Sequence, residues 1–184
     1  MQSLTICIPS YNRPKQLKRL LNSIRLSSLI KIDVLIIDDC SPKQMEISKC
    51  VLEANHLKNA ITYFPLKKNV GFDENALNLI NKATGDFLLF VTDDDIVNSE
   101  YIEKTIFLLT KLNAKVGVTA YKTSECKKIN RVYKSTYVPK LKKQKDFVKC
   151  IYNCILLSGI IVSRESIKKM GISNVKGLIY SQVL

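Results

Sequence analysis

Four short apolar runs mark the first ninety positions of the chain: LTICIP at 4–9, DVLII at 33–37, ITYF at 61–64 and DFLLFVT at 86–92. They are rich in β-branched and aromatic residues and bounded by polar or turn-forming ones, which predicts strands buried on both faces. The residues between them follow a helical period. Leu17, Leu20, Leu21 and Ile24 predict a helix entered through Asn12 as N-cap with Pro14 in its first turn, and Lys15, Lys18, Arg19 and Arg25 take other positions. Further helices are predicted over 43–54, over 74–83 with Gly85 as its stop, and over 99–112 with Ile102, Ile106 and Leu109 inward. After 115 the pattern loosens into strands at 116–121, 129–138 and 159–163 and helices at 144–157 and 164–170.

Strand–helix alternation through residue 112 predicts an α/β fold, a three-layer α/β/α arrangement around a mostly parallel sheet. Ligands of such sheets bind outside the carboxyl ends of the strands. Three polar clusters fall there: Pro9-Ser10-Tyr11-Asn12, Asp38-Asp39 and Asp93-Asp94-Asp95. Side by side they would make one pocket with an aromatic ring and up to five carboxylates. Two carboxylates about 5 Å apart repel by ~3 kcal/mol at an effective dielectric of about 20, so three in sequence invite a cation. Oxygen-only ligands suit Mg²⁺ or Mn²⁺. Each cluster alone also reads as a solvated turn or helix entry. It is their coincidence at three strand ends that points to a site.

Composition narrows the class. A hydrophobic fraction of 46% excludes a disordered chain. No apolar run reaches the roughly 18 residues of a membrane span, and no basic-then-apolar leader opens the sequence, so a cytoplasmic protein is expected. The six cysteines (7, 40, 50, 126, 150 and 154) form no CxxC, and His56 is the lone histidine, which argues against zinc and for reduced thiols. The net charge of +13 is unevenly placed. Residues 1–110 hold 13 basic and 13 acidic side chains, whereas residues 111–184 hold 16 basic and 3 acidic ones, Glu125, Asp146 and Glu165. The chain thus divides into a balanced half, 1–110, and a cationic half, 111–184, of one domain. Lys127, Lys128, Arg131, Lys134, Lys140, Lys142, Lys143 and Lys145 read as a solvated face, or as a surface for anionic membrane or phosphate. No recognised nucleic-acid motif surrounds them, and a nucleic-acid module leaves the aspartates unexplained.

The motifs together resemble the family 2 glycosyltransferases, which have the Rossmann-like, A-type glycosyltransferase (GT-A) fold. LTICIPSYNRPKQLKRLLNSI resembles the opening strand, Pro-x-Tyr-Asn turn and first helix. VLIIDDCSP resembles a second-strand signature that usually ends Asp-Asp-Gly-Ser, with Cys40 here in place of Gly. NVGFDENALNLINKATGDFLLFVTDDD resembles the Asn-x-Gly loop, helix and metal-binding aspartate segment. Asn75 and the triple Asp are most similar to the abequosyltransferase-type branch.

The resemblance implies transfer of a sugar from a nucleoside-diphosphate donor to an acceptor hydroxyl with inversion, in the building of a bacterial-type surface polysaccharide. It implies that Pro9 shapes the nucleotide turn, that Tyr11 packs on the base and Asp39 hydrogen-bonds it, and that Asp93 approaches the ribose. Asp94 would bind Mn²⁺ or Mg²⁺ with Asp95 in support, and Asn69 and Gly71 would shape the loop beside the sugar. The expected partners are the nucleoside-diphosphate sugar, a glycan or lipid-linked acceptor, and peripherally the anionic inner face of the membrane. The family usually places its catalytic base, a carboxylate, past the segment resembling 158–170. Here no Asp or Glu follows Glu165, which leaves Asp146 and Glu165 as base candidates and suggests a C-terminally short chain. A nucleotide-sugar-binding protein without turnover is the alternative function.

Overall fold

The computed structural model describes residues 1–119 and 158–169 in full, and the backbone of 121–122 and 129–130. Its centre is a six-stranded sheet in the order β3-β2-β1-β4-β8-β5. The strands are β1 (Ser3–Ser10), β2 (Lys31–Asp38), β3 (Ile61–Pro65), β4 (Phe87–Phe90), β5 (Val116–Val118) and β8 (Ile160–Ser163). β6 (Tyr121–Lys122) and β7 (Ile129–Asn130) pair with each other in a separate antiparallel ribbon. β3, β2, β1 and β4 are mutually parallel, while β8 runs antiparallel to both β4 and β5. The expected mostly parallel α/β sheet is the observed one, and both halves of the chain contribute strands to it.

The continuous apolar runs are explained by two faces packed at once. Leu4, Ile6 and Ile8 of β1, Val34 and Ile36 of β2 and Leu89 of β4 join one core cluster with Leu17, Leu20, Leu21, Ile47, Ile102, Ile106 and Leu109. Those partners come from α1 (Pro14–Ser23), α2 (Gln44–Glu53) and α4 (Ser99–Lys111). The alternate residues Cys7, Leu35, Ile37, Leu88 and Phe90 face the other way, onto Leu79 of α3 (Phe72–Lys82) and Ile167 of α5 (Arg164–Lys169). Period-two alternation therefore persists inside uniformly apolar strands, and it assigns the helices to two layers, one on each face of the sheet.

Several local expectations are corrected. Asn12 does not cap α1. Its φ of 57° places it in the left-handed region, and Arg13 occupies the N-cap without a side-chain bond. α3 ends at Lys82, capped through the Ala83 amide on the Leu79 carbonyl. Gly85 serves a different purpose. A Cβ there would meet the Thr5 amide nitrogen at 2.6 Å and the Leu4 carbonyl carbon at 2.8 Å, so glycine is needed where the turn passes against β1. Strand 116–121 divides into β5 and β6, and only 129–130 of the strand expected at 129–138 is described. The helix expected at 144–157 lies outside the described residues. Asn98 provides the cap of α4 by accepting from the Glu100 and Tyr101 amides.

Chain order reverses beside β1: β2 and β3 extend the sheet to one side, and β4 returns on the other. The crevice between the carboxyl ends of β1 and β4 is therefore the topological switch point. The contact at Gly85 helps to fix β4 against β1, so Gly85→Ala should lower stability by about 1–3 kcal/mol through overpacking, measured by denaturant unfolding.

Candidate functional site

The three polar clusters predicted from the sequence do meet at one end of the sheet, because β2, β1 and β4 are neighbours. Asp93 bridges the switch point. Its Oδ2 accepts from the Ser10 hydroxyl and from the Tyr11 amide, both at 3.2 Å, while Arg13 Nη1 lies 3.3 Å from Oδ1. The residue is 4% exposed. Burial is the largest influence on this carboxyl and raises its pKa above the ordinary carboxylate value. The Tyr11 amide, the Arg13 charge and the Ser10 hydroxyl pull it down, and the Asp94 charge adds to the rise.

Asp38 and Asp39 have different duties. Asp38 is fully buried at the end of β2, accepting from the Ser41 hydroxyl and, at 3.1 Å, from the Tyr63 hydroxyl. The Tyr63 phenol is correspondingly held above its usual range, first by burial and then by the Asp38 charge. Ser41 in turn accepts from the Asn12 amide at 2.7 Å, and the Asp39 amide donates to the Ser10 carbonyl at 2.9 Å. These bonds tie the turn after buried Pro9 to the end of β2. Asp39 clips the next loop: its Oδ1 accepts from the Val70 amide at 2.7 Å and its Oδ2 from the Gly71 amide at 2.9 Å. Asn69 Nδ2 donates to the Asp39 carbonyl at 3.2 Å. Gly71, at φ 83° and ψ 166°, takes a backbone conformation suited to glycine. Buried Asn75 donates to the Ile37 carbonyl at 3.1 Å, while its Oδ1 is buried without a hydrogen-bond partner.

The five carboxylates therefore do not converge. Buried carboxylates need donors, and those of Asp38, Asp39 and Asp93 are met by the protein's own hydroxyls and amides. Among the described residues no group of three or more His, Cys, Asp or Glu side chains gathers closely enough to hold a metal ion. Asp94 and Asp95 remain exposed just past β4. Asp95 accepts from the Thr92 hydroxyl at 2.7 Å, and Asp94 pairs with Arg13 at 2.8 Å. Two exposed, hard-oxygen carboxylates fit an ion of the Mg²⁺ or Mn²⁺ type, which takes one or two of them and completes its shell with phosphate oxygens. The Tyr11 ring stands at the rim, 48% exposed.

Glu165 is not brought to this site. β8 runs antiparallel to β4, so its last residue, Ser163, pairs with Phe87 at the opposite end of the sheet, and Glu165 follows there. Its carboxylate pairs with Lys169 at 2.6 Å, which holds its pKa below the usual value. Asp146 and the lysine-rich stretch lie outside the described residues. No helix among the described residues is long and apolar enough to cross a membrane.

Reading the sequence for strand ends missed α1's arginines. Arg13 spans Asp93 and Asp94, and Arg19 donates to the Asp94 carbonyl. The available signal was a cation next to the Tyr-Asn turn in a fold that sets that turn opposite the aspartates. Ser158, entering β8, was also missed. Its hydroxyl accepts from the Thr92 amide at 2.9 Å and so braces the aspartate turn from the other side.

The model of a family described as Glycosyl transferase family 2 matches residues 5–171. An uncharacterized glycosyltransferase of Haemophilus influenzae is 30% identical over 135 residues, 73% of this chain and 42% of that protein. The poly(ribitol-phosphate) beta-N-acetylglucosaminyltransferase TarS of Staphylococcus aureus is 30% identical over 106 residues, 56% of this chain and 18% of that protein. The chain thus spans less than half the length of these relatives. The crystal structure of TarS 1-349 with UDP-GlcNAc superposes with a TM-score of 0.74 at 22% identity, covering 94% of this chain and 48% of that one. The mannosyltransferase PcManGT from Pyrobaculum calidifontis, in complex with GDP-Man and Mn²⁺, gives 0.65 at 15% identity, covering 91% of this chain and 46% of that one. The shared fold is the GT-A fold expected from the sequence.

Two outcomes follow from the geometry. Asp93 keeps its proton to higher pH in the folded protein than in the unfolded chain. Its contribution to stability is therefore complete below the ordinary carboxylate pKa and is lost as pH rises through the raised value. In denaturant titrations with EDTA between pH 3 and 7, the stability of the native protein relative to Asp93→Asn should decline as pH rises. A pH-independent difference would show that burial does not govern this carboxyl. Cys40, at φ 58°, holds the left-handed position for which the resembling motif uses glycine, so Cys40→Gly should raise stability by about 1 kcal/mol, read from the denaturation midpoint.

Proposed function

The chain belongs to glycosyl transferase family 2, and from that premise we propose that it serves the transfer of a sugar from a nucleoside-diphosphate donor to an acceptor hydroxyl, with inversion at the anomeric carbon. The observation carrying this reading is the switch-point crevice: buried Asp93 spans β1 and β4, with the exposed Tyr11 ring on one side and exposed Asp94 and Asp95 on the other. In this reading the Tyr11 ring stacks on the base. Asp39, whose oxygens already anchor the Val70 and Gly71 amides, offers its remaining lone pairs to the base edge. Asp93 meets the ribose, and the Asn69–Gly71 loop lies beside the sugar. Asp94 and Asp95 would hold Mn²⁺ or Mg²⁺, which supplies positive charge against the departing diphosphate.

Support for the donor class comes from the relatives' own ligands, UDP-GlcNAc in TarS and GDP-Man with Mn²⁺ in PcManGT. The acceptor, a glycan or lipid-linked sugar of a cell-surface polysaccharide, is suggested by the poly(ribitol-phosphate) named for TarS and by the amylovoran biosynthesis glycosyltransferase AmsB of Erwinia amylovora. The cationic half, 111–184, suits phosphate on such an acceptor or anionic headgroups beside it. The acceptor's proton must pass to a carboxylate within hydrogen-bond reach. With Glu165 at the far end of the sheet, Asp146 is the remaining base candidate of this chain, and donor binding without turnover is the second reading.

Calorimetry with UDP, GDP, CDP and dTDP in the presence of Mn²⁺ tests the proposal. At least one should bind, and Asp94→Ala should weaken that binding tenfold or more. Binding of none would overturn it. Sugar transfer or donor hydrolysis by the same protein supplied with acceptor distinguishes the enzyme from the silent binder.

A further inference from the structure

Arg13 is the one guanidinium that reaches two carboxylates of the aspartate turn, Asp93 and Asp94, among the described ion pairs. Its Nη1 lies 3.3 Å from Asp93 Oδ1 and 2.8 Å from Asp94 Oδ2, and its side chain is half exposed. Placed there it offsets the repulsion of two adjacent carboxylates, as a bound cation does. Arg19 holds the same turn by the Asp94 backbone carbonyl and leaves the side chain alone. One arginine thus fixes where the turn is, and the other occupies the carboxylate that it presents.

We propose that Arg13 is a built-in counter-ion: it occupies Asp94 in the ligand-free protein and must release it to a divalent cation, so that metal and nucleoside diphosphate bind as a coupled pair. The inference rests on the donor-site reading above. To release Asp94, the Arg13 guanidinium must swing away from it. Its exposure gives it room to move. The event that favours the move is the arrival of another anion, and a diphosphate suits the planar fork of an arginine well. Alone, a divalent ion must displace Arg13 from Asp94 and leave its charge to buried Asp93. With a diphosphate present, both cations have partners. Linkage then requires that each ligand raise the affinity of the other by the same factor.

Titration of Mn²⁺, with unbound Mn²⁺ read by electron paramagnetic resonance, tests this on the native protein and on Arg13→Met, Arg13→Lys and Arg19→Met, each with and without whichever of UDP, GDP, CDP and dTDP binds. Without nucleotide, Arg13→Met should bind Mn²⁺ about fivefold more tightly, the scale of an exposed ion pair removed. The enhancement of Mn²⁺ affinity by nucleotide should shrink in the same variant and return in Arg13→Lys. Arg19→Met, which disturbs the turn but not the counter-ion, should show no such tightening. Native-like nucleotide–Mn²⁺ binding with an unchanged or weaker nucleotide-free Mn²⁺ affinity in Arg13→Met would overturn this inference alone. Failure of the native protein to bind any of the four nucleoside diphosphates with Mn²⁺ would overturn the donor reading and this inference with it. Thermal unfolding of each variant identifies any that is not folded, and Arg13→Gln then takes the place of Arg13→Met.

Discussion

The carboxylate of Asp93 is the tie on which the arrangement of the site depends. Three strands end side by side, but adjacency of strands does not by itself align the loops that follow them. Asp93 does so by taking the hydroxyl of the last residue of β1 and the amide of the next residue onto one oxygen. The Tyr11 backbone is thereby held against β4, and the ring is presented at the rim. Burial makes this costly for a charged group, and the nearby guanidinium of Arg13 offsets part of that cost.

A second set of bonds does the equivalent task on the β2 side. Asp38 is committed to Ser41 and Tyr63, and Asp39 to the two amides of the Asn69–Gly71 loop. The acidic residues of the site thus divide by depth. The deep ones act as acceptors that position loops, and the shallow pair, Asp94 and Asp95, stays exposed past β4. In the proposed donor site such a division would lower the cost of binding, because a preorganised loop loses less freedom when a ligand arrives.

The fold was readable because its signal is physical and local. Buried parallel strands must be apolar on both faces, and LTICIP, VLII and FLLF could hardly be anything else between amphipathic helices. The three strand-end clusters followed from the same logic. What could not be read was which oxygen meets which donor. Nothing in Asp-Asp-Cys-Ser distinguishes a ligand from a loop clip until Val70 and Gly71 are folded over Asp39. Gly85 was misread for a related reason: a glycine after a helix resembles a stop, and its true constraint, the Thr5 backbone, lies eighty positions away in sequence. Asn12 looked like a cap by type, yet its left-handed φ serves the turn that follows Tyr11.

The reversed strand β8 has a consequence for how such a molecule can diversify. β5 runs in the direction of β4, so it ends at the site end of the sheet, and β8 starts there, with Gly159 accepting from the Thr119 amide and Ser158 touching Thr92. Thr119 and Gly159, far apart in sequence, therefore meet at one place, on the rim of the site. Hydrogen bonds fix both points at the end of the sheet where the aspartates lie. Because the two anchors are adjacent, the sequence between them can change in length at small entropic cost without moving the strands that hold the aspartates.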